Sequence, residues 1–319
     1  MSTTDNVARS KMLSRQLSQV DKNLDKIVSR IATADNTSNA FWVAIQNDIT
    51  KEYDKAKAIA SEWIALDIPK TYRQDAAEQL AKIKAKKIPG LRDVTFSQFA
   101  NTDLSKQSIQ SLIDQTVITF ATRLEAGKMT MIQLSRLTQQ ILIDEKLLTR
   151  NIASGFIEGG SVNAAKKKLQ NELLKNALGE KYVTVIDRNG KITYWNIKKY
   201  AEMVARTKLQ ETSTQAVVNT TMAVGGDLVQ VSSHNTQTAF DAQFEGKIYS
   251  LSGNSKQFPV ATILPPFHPN CIHSITTVFA ETLAIDGTLD KYVDFSNGKS
   301  EIHPTRKSHT PVSDRDFTA

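Results

Sequence analysis

Between Leu13 and Ile31 the apolar residues Leu13, Leu17, Val20, Leu24, Ile27 and Ile31 recur at alternating spacings of four and three. Such a heptad seam commits the segment to a helix whose apolar stripe must be covered by another helix. The chain's own next helix and a helix of a partner, including a second copy bound through these heptads, both satisfy the pattern. Asp35 to Asn39 read as a loop and N-cap. A second helix is expected from about Ala40 to Ala65, with Trp42, Ile45, Ile49, Tyr53 and Ile59 on or near one face. Pro69 is expected to open a separate piece, and Pro89-Gly90 to stop it. Ile109, Leu112, Ile113, Val117, Phe120 and Leu124 form a further stripe. Gly127 is expected to separate that stripe from Leu134, Leu137, Ile141, Leu148 and Ile152, and residues 161–178 read as a shorter helix.

The pattern changes near residue 180. Tyr182 to Ile186 and Ile192 to Trp195 are β-type runs, joined through an Asn189-Gly190 turn signal. One more helix, about Ile197 to Ala223, is closed by Gly225-Gly226. Short strands are expected at Leu228 to Val231, Lys247 to Leu251 and Ser274 to Phe279. The fold class that follows is a mainly α N-terminal region followed by a small α+β domain with short antiparallel strands. Its divisions are a helical basic region 1–179, an α+β domain 180–296 and a flexible tail 297–319, where no apolar period survives.

Charge follows the same division. The net charge is +7, and residues 1–179 hold 26 Lys and Arg against 19 Asp and Glu, whereas the remainder is balanced at 14 each. A basic helical half suits an acidic partner such as DNA, although solvated helix faces produce the same excess. The candidate DNA contacts are Lys82, Lys84, Lys86 and Lys87, together with Lys166, Lys167 and Lys168.

No run of about 18 apolar residues is present, which argues against a helical membrane span. The first residues carry charges where a signal peptide needs its apolar centre, so synthesis in the cytoplasm is expected. A lone cysteine, Cys271, forms no intrachain disulfide. The motifs GxSxG, Walker A, GxGxxG and HExxH are missing from the sequence, and with them the reaction classes they serve.

The donor-bearing residues gather late. The run PPFHPNCIH places Cys271 between His268 and His273, while His234 and Asp241 precede it. On extended backbone Cys271 and His273 share a face. Imidazole, thiolate and carboxylate are zinc ligands, so His234, Asp241, His268, Cys271 and His273 form a candidate zinc set. The alternative is that these histidines hydrogen-bond loop groups around a cysteine that packs as a small hydrophobe. A catalytic centre, such as that of a metal-dependent nuclease or toxin-like effector, is the enzymatic reading of the same cluster.

Four ordered motifs point further. Tyr200 to Thr207 with its Arg206, Gly226 to His234, the Glu245-Gly246-Lys247-Ile248-Tyr249 run to Gly253, and His268 to His273 together resemble the phage minor capsid protein 2 family, a relative of Mu-type minor head proteins. The resemblance covers about residues 180 to 280 and marks Arg206, Gly246, Lys247 and Tyr249 as motif residues. The family pattern has a Cys or His where this chain has Asp241, and an Arg where it has Ile272. What the resemblance implies is a non-enzymatic minor head protein of a tailed bacteriophage, inside the capsid or at the portal vertex. Portal protein, major capsid protein and packaged DNA are the implied partners. The implied role lies in head morphogenesis, with DNA packaging or ejection.

Overall fold

The computed structural model describes residues 3–153, 183–186, 192–234 and 239–300. The chain runs through α1 (Thr3–Ala32), α2 (Asn39–Ala85), α3 (Phe96–Ala100) and α4 (Asp103–Ala153), then β1 (Val183–Ile186) and β2 (Ile192–Trp195). It continues through α5 (Ile197–Ala223), β3 (Leu228–Val231), α6 (Ala239–Ala242), β4 (Ile248–Ser250), β5 (Ile275–Val278), α7 (Ala280–Ile285) and α8 (Leu289–Ser296). Long helices followed by a small antiparallel sheet are the expected fold class. Residues 161–178, the Asn189-Gly190 turn, the 179/180 boundary and the tail beyond residue 300 lie outside the described residues.

Two compact units emerge, each assembled from discontinuous segments. One comprises Met1–Arg9, Ala65–Asp114 and Val204–Ala319, and the other Ser10–Ile64 and Gln115–Met203.

The second of these is helical with one hairpin. Leu13, Leu17, Val20, Leu24, Ile27 and Ile31 are all 5% exposed or less, as are Trp42, Ile45, Ile49 and Tyr53 of α2. The heptad seam is therefore consumed by the chain's own core, which leaves none of its six apolar residues for a second copy. Arg30 ties α1 to α2 through Asp48 at 2.6 Å. The Ser38 hydroxyl accepts the Phe41 N–H at 3.3 Å and so caps α2. At the start of α5, the Asp21 carboxylate accepts the N–H groups of Ile197 at 2.9 Å and Lys198 at 3.0 Å, filling two orphan donors of that helix. Burial pushes the Asp21 carboxyl above its ordinary range, and the two N–H groups oppose the shift. β1 and β2 pair antiparallel with Val183 opposite Trp195.

Two helix ends depart from expectation. Pro69 does not open a new piece but lies inside α2. Its ring removes one helical hydrogen bond at a cost of about 3 kcal/mol. The flanking Ile68 and Tyr72 are both fully buried, and packing on either side holds the helix through the proline. Gly127 likewise fails to divide α4, which is continuous from Asp103 to Ala153. A helical glycine costs only about 1 kcal/mol relative to alanine. Gly127 is itself buried on the stripe formed by Phe120, Leu124, Met131 and Leu134. Leu137, expected on that stripe, is 48% exposed, and Leu142 takes its place.

In the other unit the sheet has the order β4-β3-β5 with all neighbours antiparallel. Alternation sends Val229, Val231, Tyr249 and Ile275 to a core shared with Val217 of α5, Phe267 and Cys271. Leu228, Ile248 and Val278 face Leu283 and Tyr292 of α7 and α8 on the opposite side. Two helices reach across to β5: Thr221 of α5 and Gln79 of α2 both hydrogen-bond the Thr277 hydroxyl, the former at 2.6 Å. Asn219 of α5 donates to the Tyr72 hydroxyl at 2.7 Å and to Ser108 at 2.8 Å. Gly226 closes α5 through its N–H to the Thr221 carbonyl at 2.9 Å. A Cβ at Gly226 would lie 3.2 Å from the Phe279 ring, a tight contact that the absent side chain spares the turn from helix to strand. The start of the expected tail is held, because Asn297 donates its side-chain amide to the Gln257 carbonyl at 2.7 Å.

Candidate functional site

The late donor residues converge beside β3 and the approach to β5, in the unit that contains the sheet. Between Pro265 and Ser274 the chain makes a tight excursion. The Cys271 N–H returns to the His268 carbonyl at 3.1 Å, and Asn270 takes φ 63°. Asparagine tolerates this left-handed conformation better than most residues. α5 grips the turn from outside: Arg206 Nη1 donates to Asn270 Oδ1 at 3.1 Å, and Thr207 Oγ1 accepts the Asn270 N–H at 3.3 Å. One helical turn later, Gln210 Nε2 donates to the His273 carbonyl at 2.8 Å. From one helix face, Arg206 thus holds the Asn270 side chain while Thr207 and Gln210 hold the backbone of the HPNCIH turn.

Within the turn the histidines take separate carboxylates. His268 Nε2 meets Asp241 Oδ2 at 2.6 Å, and its Nδ1 meets the Pro269 carbonyl at 2.8 Å. Both partners offer oxygen atoms, one from a side chain and one from backbone. Asp241 is buried, and its second oxygen, Oδ1, has no hydrogen-bond partner among the described residues.

His273, 1% exposed, points Nε2 at Glu245 Oε1 at 2.9 Å and Nδ1 at Cys271 Sγ at 3.5 Å. The donor inventory is met if the thiol donates to Nδ1 and Nε2–H donates to the carboxylate. Glu245 Oε1 also accepts the His234 N–H at 3.0 Å. The His234 ring stands edge-on to that of His273, with centroids 5.2 Å apart, while its Nε2 contacts Ser232 Oγ at 2.8 Å.

The five expected ligands thus come together in one region but divide between two hydrogen-bonded groups. Asp241 and His268 form one; Cys271 and His273 form the other around Glu245, which His234 joins through its backbone N–H. Among the described residues no three His, Cys, Asp or Glu side chains are grouped so as to hold a metal ion. The nitrogens of His268 face Asp241 and the Pro269 carbonyl, those of His273 face Glu245 and the Cys271 sulfur, and His234 Nε2 faces the Ser232 hydroxyl.

The order thiol, imidazole, carboxylate is the one that activates a nucleophile. Here the thiol is buried, 3% exposed, and burial pushes its pKa up, with Asp241 adding to the shift against opposing backbone hydrogen bonds. Burial and a raised pKa both make a thiol a poorer nucleophile.

Glu245 is the residue that sequence reasoning missed. Its signal was the four-residue spacing from Asp241, which sets the two carboxylates on one side of a helical turn. The other motif residues are structural. Gly246 takes φ 74° and returns its N–H to the Val231 carbonyl at 3.0 Å, starting β4. Lys247 follows with its N–H on the Phe244 carbonyl at 3.2 Å. Tyr249 is largely buried in the sheet core, and burial pushes its phenol up to about 12.

Three of the four candidate DNA contacts at and just after the end of α2 have partners within the protein. Lys82 pairs with Glu78 at 2.7 Å and Lys84 with Asp93 at 3.1 Å. Lys86 donates to the Thr277 carbonyl at 3.2 Å and lies over the Phe279 ring; burial lowers its pKa. Lys87 is exposed. Lys166, Lys167 and Lys168 lie outside the described residues. No helix among the described residues is long and apolar enough to cross a membrane.

Residues 160–286 match the family model described as phage minor capsid protein 2. No curated protein and no solved structure matches the chain.

Proposed function

We propose, from the match of residues 160–286 to the phage minor capsid protein 2 family model, that the chain is a non-enzymatic component of a tailed-phage head. It acts at the portal vertex or the inner capsid wall during head morphogenesis. The portal protein and the major capsid protein are its partners there, and packaged DNA lies within reach of its basic helices. In this reading the His, Cys and carboxylate cluster is a fastener without metal. It joins the 268–273 turn, the end of β3 and the segment before β4 into a rigid face.

The observation that carries the reading is the coincidence of the family match with this cluster. All four motifs fall inside the matched segment, and most of the cluster's polar groups, Asp241 Oδ1 excepted, bond one another or backbone. This pairing supports a scaffold, since a catalytic centre directs its groups at substrate.

Purified virions are expected to contain the chain in a small fixed number of copies, measured by quantitative mass spectrometry against the major capsid protein. Recovery only from the cytosol of infected cells would overturn the assignment. Elemental analysis tests the fastener separately, and zinc at one ion per chain would replace it with a metal site. Loss of a catalytic turnover in a folded His268→Ala variant would favour the nuclease-like alternative.

A further inference from the structure

The unit that contains the sheet also has a cavity of about 200 Å³, formed by the end of α2, the loop after it and the residue following α5. Its floor is apolar, made by Leu80, Ile83, Leu91 and Val224. Its rim carries Lys84, Lys87 and Arg92. Lys84 is paired with Asp93, whereas among the described residues neither Lys87 nor Arg92 has a carboxylate partner.

The wall is fixed in shape before any ligand arrives. Lys87 at φ 49° and Gly90 at φ 84° turn the chain sharply after α2. The Arg92 N–H then pins the loop to the Val224 carbonyl at 3.0 Å. A preformed apolar recess saves the ordering cost that a flexible surface meets on binding.

We propose that this recess docks an acidic segment of a partner protein, which inserts one bulky apolar side chain between flanking carboxylates. The space accommodates a single side chain and is smaller than the usual small-molecule pocket of about 300–1,000 Å³. Apolar floor and cationic rim together specify the ligand. Phosphates of duplex DNA would meet the rim but leave Leu80, Ile83 and Leu91 uncovered, so nucleic acid satisfies only half of the surface. Carboxylates beside an apolar anchor satisfy both halves. The fit is independent of the capsid reading.

The test uses the full chain and a fluorescein-labelled peptide of about 12 residues, rich in Asp and Glu around a central Phe, read by polarisation. Controls are the same peptide with Phe replaced by Ser and a DNA duplex of similar length. The Phe peptide is expected to bind saturably. A combined Lys87→Gly and Arg92→Gln variant should weaken it about tenfold at an unchanged melting temperature, since each exposed charge contributes modestly. Glycine at position 87 accepts the left-handed backbone, so the substitution removes charge without straining the loop. Absence of saturation up to about 1 mM, equal binding of the Ser peptide, or an affinity unmoved by the variant would each overturn the proposal. Displacement of the peptide by the duplex would also do so and would assign the face to nucleic acid.

Discussion

Glu245 Oε1 receives both His273 Nε2, at 2.9 Å, and the backbone N–H of His234, at 3.0 Å, so one buried carboxylate oxygen joins the end of β3 to the turn that precedes β5. Truncation to Glu245→Ala strands the buried His273 Nε2–H and removes the acceptor of the His234 N–H. About 2–4 kcal/mol of stability should be lost, within the range for breaking a buried charged partnership. Glu245→Gln keeps an acceptor and should lose less. Urea unfolding midpoints of the two variants decide the matter, and an alanine variant as stable as the parent would remove Glu245 from its place in the fastener.

Cys271 should behave as a sequestered thiol. Alkylation by iodoacetamide at pH 8 is expected to proceed at least about a hundredfold more slowly in the folded chain than in urea, because both burial and protonation oppose it. Because burial raises the folded thiol pKa, its contribution to stability is fully present below the unfolded value, about 8.5. That contribution is lost as pH rises through the higher folded value. Unfolding midpoints at pH 8 and pH 10 should differ more for the parent than for Cys271→Ala.

Asp227 should contribute at the acid end. Burial alone would raise its carboxyl, but hydrogen bonds from Ser250, Ser252 and Leu251 outweigh that effect and hold it below the ordinary range. The stability it adds is therefore present above the unfolded carboxyl value, near 3.9, and disappears as pH falls through the lower folded one. Asp227→Asn should flatten the decline of melting temperature between about pH 5 and pH 3. An unchanged slope would mean that folding does not lower the pKa of the Asp227 carboxyl.

Pro69→Ala tests the continuity of α2. Restoring the missing N–H to a helix that already runs through this position should raise the melting temperature, by an amount worth about 1–3 kcal/mol. A lower melting temperature would indicate that the ring packs productively at its site.

Leu24 and Ile49 are both fully buried. Alanine at either should cost about 2–5 kcal/mol. If the seam of α1 served a second copy instead, the loss would appear as dissociation in analytical ultracentrifugation, with the folded chain intact.

Where a single periodicity or turn signal decided an element, the sequence was readable. The six-residue seam of α1, the span of α5 and the three short strands all follow from local patterning. Pro69 and Gly127 misled because both are local breakers, and their cost of a few kcal/mol is overcome by packing that the sequence does not display. The donor cluster was legible as a neighbourhood but not as a set of partnerships. Glu245 pairs with a histidine 28 residues away, and no spacing rule links them. Arg206 had no bottom-up reason to be more than a surface arginine until Asn270 came opposite it. Thr207 and Gln210 show the same limit, since their targets are backbone groups of a turn whose shape is set elsewhere.

The hydroxyl of Thr277 meets Gln79, a residue 198 positions earlier in the chain. This has a consequence during synthesis. The central sheet cannot be sealed against α2 until nearly all of the described chain has been translated, and loop closure over such a distance is slow. Gln79 and Tyr72 also lie outside the family-matched segment. An excised copy of residues 160–286 would therefore lack the helix that normally covers the Thr277 and Asn219 side chains.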